Sequence, residues 1–212
     1  MKTKATHCFK AVVFDCDGVL FDSREANRAY YNALLKAVGL PPLTEDQLNF
    51  AHCHTVFEVI DFLFPEPDQK RQALEARKNL DYCDFLKYMR PEPYVKETLA
   101  NLKRRFKIGM ATSRTNTIHK LLKLYDLHHF FEVIISALDV KRVKPNPEAL
   151  YKIMDIFKID CQEVVYVGDA EVDAEMARQA GVVFVAYKQP HLPADFYVNS
   201  FLELSKLLGI GG

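Results

Sequence analysis

The sequence has 212 residues, 49% of them hydrophobic, enough for one substantial core or a core with a small second domain. Lysine plus arginine and aspartate plus glutamate both number 28, and this zero net charge argues against a dedicated nucleic-acid binder. No apolar run approaches bilayer length, the stretch Met1 to Lys10 lacks the apolar region of a secretory signal, and Cys8, Cys16, Cys53, Cys83 and Cys161 form no Cys-x-x-Cys pair, so a cytoplasmic protein with reduced thiols and no membrane partner is expected.

In chain order, the apolar run at residues 11–14 reads as a buried strand and ends in Asp15-Cys16-Asp17-Gly18. On an extended strand the side chains of Asp15 and Asp17 leave on the same side, and Gly18 supplies a sharp turn. Ser23 is a plausible cap for a helix over Arg24 to Val38, which Gly39 and Pro41-Pro42 stop. Two short helices are expected over Thr44 to Ala51 and Thr55 to Phe64, then a long charged helical stretch from Asp68 to Tyr88. From Arg90 the texture changes. After a helix running to about Arg105, strands at 107–111, 133–136, 163–167 and 182–186 alternate with helices at 116–125, 147–157 and 172–180, and a last helix covers about 200–208. Such alternation indicates a parallel sheet covered on both faces, with the helical segment inserted between its first strand and the rest. The expected organisation is an α/β core of residues 1–22 and 91–212 with a helical domain of residues 23–90.

Ligands of an open parallel sheet bind outside the carboxyl ends of the strands, so reactive residues should gather there. Two neighbouring carboxylates, Asp15 and Asp17, are unfavourable without a cation or proton, and carboxylate oxygens suit magnesium. The second strand ends in Ala111-Thr112-Ser113-Arg114, where a hydroxyl and free backbone N–H groups would either cap a helix or hold a phosphoryl oxygen, or both. Pro145 and Pro147 follow Lys144 and would fix the approach of its ammonium, although a lysine before proline is usually a solvated loop residue. The fourth strand runs into Gly168-Asp169, with Asp173 at a helix start, where a carboxylate is favoured anyway.

In order and placement these segments resemble the four motifs of the haloacid dehalogenase-like phosphohydrolases. The matching stretches are Asp15-Cys16-Asp17-Gly18, Thr112, Lys144-Pro145, and Gly168-Asp169 through Asp173. Asp22-Ser23 and the inserted helices also resemble the phosphoglycolate phosphatase and β-phosphoglucomutase branch, which carries a small helical cap. The resemblance implies a Rossmann-like α/β core and an Mg²⁺ cofactor. It implies Asp15 as nucleophile through an aspartyl-phosphate, and Asp17 as general acid and then base. The metal would be held by Asp15, the Asp17 carbonyl, Asp169 and Asp173, and the phosphoryl group by Thr112, Ser113 and Lys144. Cys16 stands where the family more often has a larger apolar residue, and it reads as a small core residue. Asn49 to His54 lacks a glycine often found there, which bears on the substrate. His52 or His54, lying between two short helices, would contact the substrate if they are not surface loop histidines.

The leading expectation is a phosphatase of small phosphorylated metabolites, with no nucleic acid partner. A sugar phosphomutase and a non-catalytic binding module on the same scaffold are the alternatives. Dehalogenase chemistry would not call for Asp17, and phosphonate cleavage resembles a mechanism needing a lysine that residues 37–69 lack. The oligomeric state is not legible in the sequence.

Overall fold

The structure is a computed structural model that describes residues 8–210; residues 1–7, most of the stretch read as carrying no secretory signal, lie outside it. The chain forms two compact units. One joins the chain up to Phe21 to the chain from Pro91 onward, and the other is Asp22–Arg90.

The first unit is an α/β sandwich. Its sheet contains β1 (Ala11–Phe14), and a separate two-stranded ribbon pairs β2 (Phe21–Asp22) with β3 (Arg90–Pro91). Helix α5 (Val95–Leu102) leads to β4 (Lys107–Ala111), then α6 (Ile118–Leu124) and β5 (Val133–Ile135). The chain continues through α7 (Glu148–Phe157), β6 (Val164–Gly168), α8 (Glu171–Ala180), β7 (Val183–Tyr187), β8 (Phe196–Val198) and α9 (Phe201–Leu207). The sheet order is β5-β4-β1-β6-β7-β8, and every pair is parallel. Strands buried on both faces read as continuous apolar runs, which is why residues 11–14 show no polar alternation. Val13, Tyr166 and Phe184 share one cluster with Leu150 and Ile153 of α7 and Met176 of α8, while Phe14 stacks on Phe201 of α9 at 6.2 Å between ring centroids.

The second unit is helical: α1 (Arg24–Val38), α2 (Glu45–Cys53), α3 (Val56–Leu63) and α4 (Pro67–Lys78), followed by a 3₁₀ helix over Tyr82–Tyr88. It has its own core, in which Tyr30, Tyr31, Leu34, Leu48, Ile60 and Phe64 are buried together. Local chemistry sets its element ends. Thr44 and Thr55 each accept the backbone N–H three residues on, and Gln47 and Glu58 reach back to the threonine N–H groups. Gly39 ends α1 in the left-handed region at φ 79°.

Three expectations on elements are corrected. The charged stretch after Asp68 is not one helix: α4 stops at Lys78, and the Asp81 carboxylate starts the 3₁₀ turn by accepting the Cys83 N–H at 2.9 Å. A short polar side chain that competes for backbone N–H groups breaks helices there. Ser23 occupies the cap position of α1, but its hydroxyl makes no cap bond; the Asp22 carboxylate accepts the Arg24 N–H instead, at 2.8 Å. Strand β8 was not anticipated, because three residues on a sheet edge carry too little pattern to read. Among the described residues no helix is long and apolar enough to cross a membrane. Cys8, Cys16 and Cys161 are free thiols.

Candidate active site

From β1 the chain runs outward through β4 to β5, then returns to the other side of β1 for β6, β7 and β8. The order therefore reverses at β1, and the crevice at such a reversal is where α/β sheets bind ligands. Register aligns the strand ends: Phe14 pairs with Met110 on one side and Val167 on the other. Asp15, Thr112 and Asp169 consequently leave three neighbouring strands within one residue of the same level.

Asp15 is buried, and its Oδ1 accepts a hydrogen bond from Lys144 Nζ at 2.6 Å. The same ammonium donates to Asp173 Oδ1 at 2.7 Å. The Lys144 side chain is only 6% exposed, so its charge lies in the interior; the Lys144–Pro145 peptide bond is cis. Asp173 is saturated with partners. Oδ1 also accepts the Tyr166 hydroxyl at 2.7 Å, and Oδ2 accepts the N–H groups of Asp169 and Ala170 at 3.2 Å each. Asp173 thus caps the start of α8 and also belongs to the acidic cluster. Two glycines make room for this. Gly18 lies at φ 74°, and a Cβ there would sit 1.8 Å from Asp169 Oδ2; a Cβ on Gly168 would meet the Asp173 Cβ at 2.6 Å.

Oxygens of Asp15, Asp169 and Asp173 lie within 4.8 Å of one another, and no other such cluster occurs among the described residues. Burial pushes the Asp15 carboxyl up to about 7, with Lys144 opposing and Asp173 adding to the shift. Burial also pushes Asp169 up to about 8, assisted by Asp15 and Asp173. Burial works against the Lys144 ammonium, but Asp15 and Asp173 outweigh it and raise its pKa. Three grouped carboxylates that resist ionisation offer oxygen donors that fit a hard divalent cation, which would relieve their repulsion beyond what the Lys144 ammonium supplies. Burial, with Asp17 adding, pushes the Cys16 thiol well above its ordinary value; it is a protonated core group, in keeping with its reading as a core residue.

The remaining candidates are placed as follows. Thr112 is buried, and its Oγ1 accepts the Arg114 N–H at 3.1 Å, closing a turn. Helix α6 begins only at Ile118, so the expected helix start beside Thr112 is replaced by this turn. Ser113 is exposed and lines a small pocket with Thr112 and Lys144. Asp17 turns its carboxylate to the Arg114 guanidinium. In the helical unit, His52 is the penultimate residue of α2 and not a loop residue; it is exposed. His54, also exposed, stacks on Phe50 at 3.7 Å between centroids and has Nδ1 2.8 Å from the Phe50 carbonyl oxygen. Two site residues escaped the sequence reading. Tyr166 carried a signal, a phenol in mid-strand that needs a partner when buried; Arg114 carried only its position two residues past Thr112.

The family model for haloacid dehalogenase-like hydrolases matches residues 12–187. The chain belongs to this family. It is 32% identical to the pyrophosphatase PpaX of Halalkalibacterium halodurans, covering 94% of this chain and 96% of that one. It is 27% identical to the β-phosphoglucomutase of Bacillus subtilis, over 92% of each chain. Among solved structures, a HAD-superfamily hydrolase of subfamily IA, variant 1, from Geobacter sulfurreducens superposes with a TM-score of 0.89 at 37% identity, covering 96% of this chain and 97% of that one. The HAD-like α/β fold and the phosphatase class expected from the motifs accordingly stand.

Proposed function

We propose that the protein is a magnesium-dependent phosphatase that hydrolyses a small phosphorylated metabolite through an aspartyl-phosphate on Asp15. The observation that carries the reading is the buried Asp15 carboxylate at the sheet reversal, held by Lys144 at one oxygen and grouped with Asp169 and Asp173.

In this reading one Asp15 oxygen attacks phosphorus, and the bond from phosphorus to the leaving oxygen breaks. Asp17 gives its proton to that oxygen, then takes a proton from water as the water oxygen attacks phosphorus and releases Asp15. Lys144, Thr112 and Ser113 bind the transferring phosphoryl oxygens, where charge needs fixed donors. Asp173 acts by orienting Lys144 and the backbone of Asp169. Asp15, Asp169, the Asp17 carbonyl and Asp173 would hold the cation, which would supply neutralising charge for the carboxylates and the phosphoryl group. His52 or His54 is assigned to the non-phosphoryl part of the substrate; alanine at one of the two should reorder a substrate panel without changing the metal requirement.

The test is phosphate release from a panel that includes pyrophosphate, phosphoglycolate and hexose phosphates, with and without exhaustive chelation. Hydrolysis that survives chelation unchanged would refute the cation assignment. The relative named β-phosphoglucomutase supports a second reading, transfer to a sugar hydroxyl. Isomerisation of a hexose phosphate without free phosphate would establish it.

A further inference from the structure

Arg114 approaches Asp17 from 97 residues away in sequence. Its Nε donates to Asp17 Oδ2 at 2.7 Å and its Nη2 to Oδ1 at 2.6 Å. Two parallel bonds of this kind fix the plane of a carboxylate as well as its position, which a lysine cannot do. The arginine is itself anchored: its backbone N–H donates to Thr112 Oγ1 and its Nη1 to Thr117 Oγ1 at 3.3 Å. One loop thus presents the buried threonine and grips the carboxylate that follows β1.

A bidentate pair whose arginine side chain is only 9% exposed contributes some stability, but the Asp17 side chain is 37% exposed, and solvent screening limits that contribution. Proton transfer, by contrast, depends steeply on placement, and a shift of about 1 Å costs on the order of 10²-fold in rate. We infer that Arg114 is a positioning residue for the reaction, setting the orientation of the Asp17 carboxylate beside Asp15. The inference rests on the proposed role of Asp17 in proton transfer.

The test compares R114A, R114K, D17N and the D17N/R114A double variant, with p-nitrophenyl phosphate as substrate and thermal melting as a check on folding. In R114A, kcat should fall on the order of 10²-fold while KM stays within about threefold of wild type. R114K should lie between the two. Guanidinium chloride, far below denaturing concentration, should restore part of the activity of R114A and none of that of D17N. The double variant should be no slower than D17N, because residues acting as a unit do not add. If R114A does not fold, R114K carries the same comparison with D17N. A raised KM at unchanged kcat would make Arg114 a substrate-binding group and overturn the inference, as would losses in R114A and D17N that multiply. An active D17N would remove the Asp17 role beneath it, a result separable from a normal R114A beside an inactive D17N.

Discussion

Asp15 and Asp17 are separated by one residue, yet their surroundings differ sharply. Asp15 is buried against Lys144, whereas Asp17 is partly exposed and held by a guanidinium. Distinct variants should therefore fail in distinct ways. Asp15→Asn should abolish turnover, since an amide is a poor nucleophile. Asp17→Asn should retain substrate binding and slow both chemical steps by about 10²–10⁴-fold. Single-turnover assays with substrate binding measured separately would decide this, and equal modest losses would contradict separate roles. Lys144 has a double task at the same scale. Lys144→Met leaves Asp15 and Asp173 buried without their cation, and breaking a buried pair in this way costs about 3–5 kcal/mol. Denaturant melts of cation-free protein should show that loss alongside lost activity; a fully stable Lys144→Met protein would mean that the cluster neutralises itself by other means.

Among the elements, the short helices of the second unit depend on their threonine caps. Helices of nine and eight residues are too short to persist on propensity alone. Replacing Thr44 or Thr55 with alanine should cost about 1 kcal/mol each by urea unfolding, and both boxes together about twice that, because they start different helices. Both helix starts were legible at these threonines, although the boxes with Gln47 and Glu58 are a finding of the structure. The strands were equally legible where they are central. Residues 107–111 were read at their observed bounds, because residues 108–111, after the exposed Lys107, have no polar side chain before the turn signals that follow. Edge strand β8 was not, and neither was the break at Asn79–Asp81, where a charged helical pattern continues in sequence while one carboxylate captures the backbone.

At the scale of the whole molecule, the acidic cluster links folding to pH and to the cation. Asp15 and Asp169, held at about 7 and about 8, titrate near 3.9 when unfolded. Between these limits the folded, cation-free protein binds more protons than the unfolded chain, so its stability falls as pH rises from about 4 to about 8. Magnesium bound as proposed would compete with those protons, and its stabilisation should grow across the same range. At about 100-fold above its dissociation constant the gain is about 2.7 kcal/mol, or roughly 5–10 °C for a chain of this size. Melting curves at pH 5.5 and 8.5 with and without Mg²⁺ check this, and a shift that is equal at both pH values would count against the cluster as the cation site.

The sequence by itself determined the strand–helix alternation, the inserted helical segment and the positions of Asp15, Thr112, Lys144 and Asp169. Each of these rests on local pattern: apolar runs, breakers, and polar residues set just past them. Only the tertiary structure decided what those residues touch. That Lys144 bridges Asp15 and Asp173 depends on residues 129 and 29 positions apart, and that Arg114 grips Asp17 depends on two loops at neighbouring strand ends. The physical reason is that sheet order and register bring distant strand ends together. A one-dimensional pattern states which residues sit at those ends, whereas partner choice follows from which strands pair, how deeply the pocket is buried, and which charges must be neutralised there.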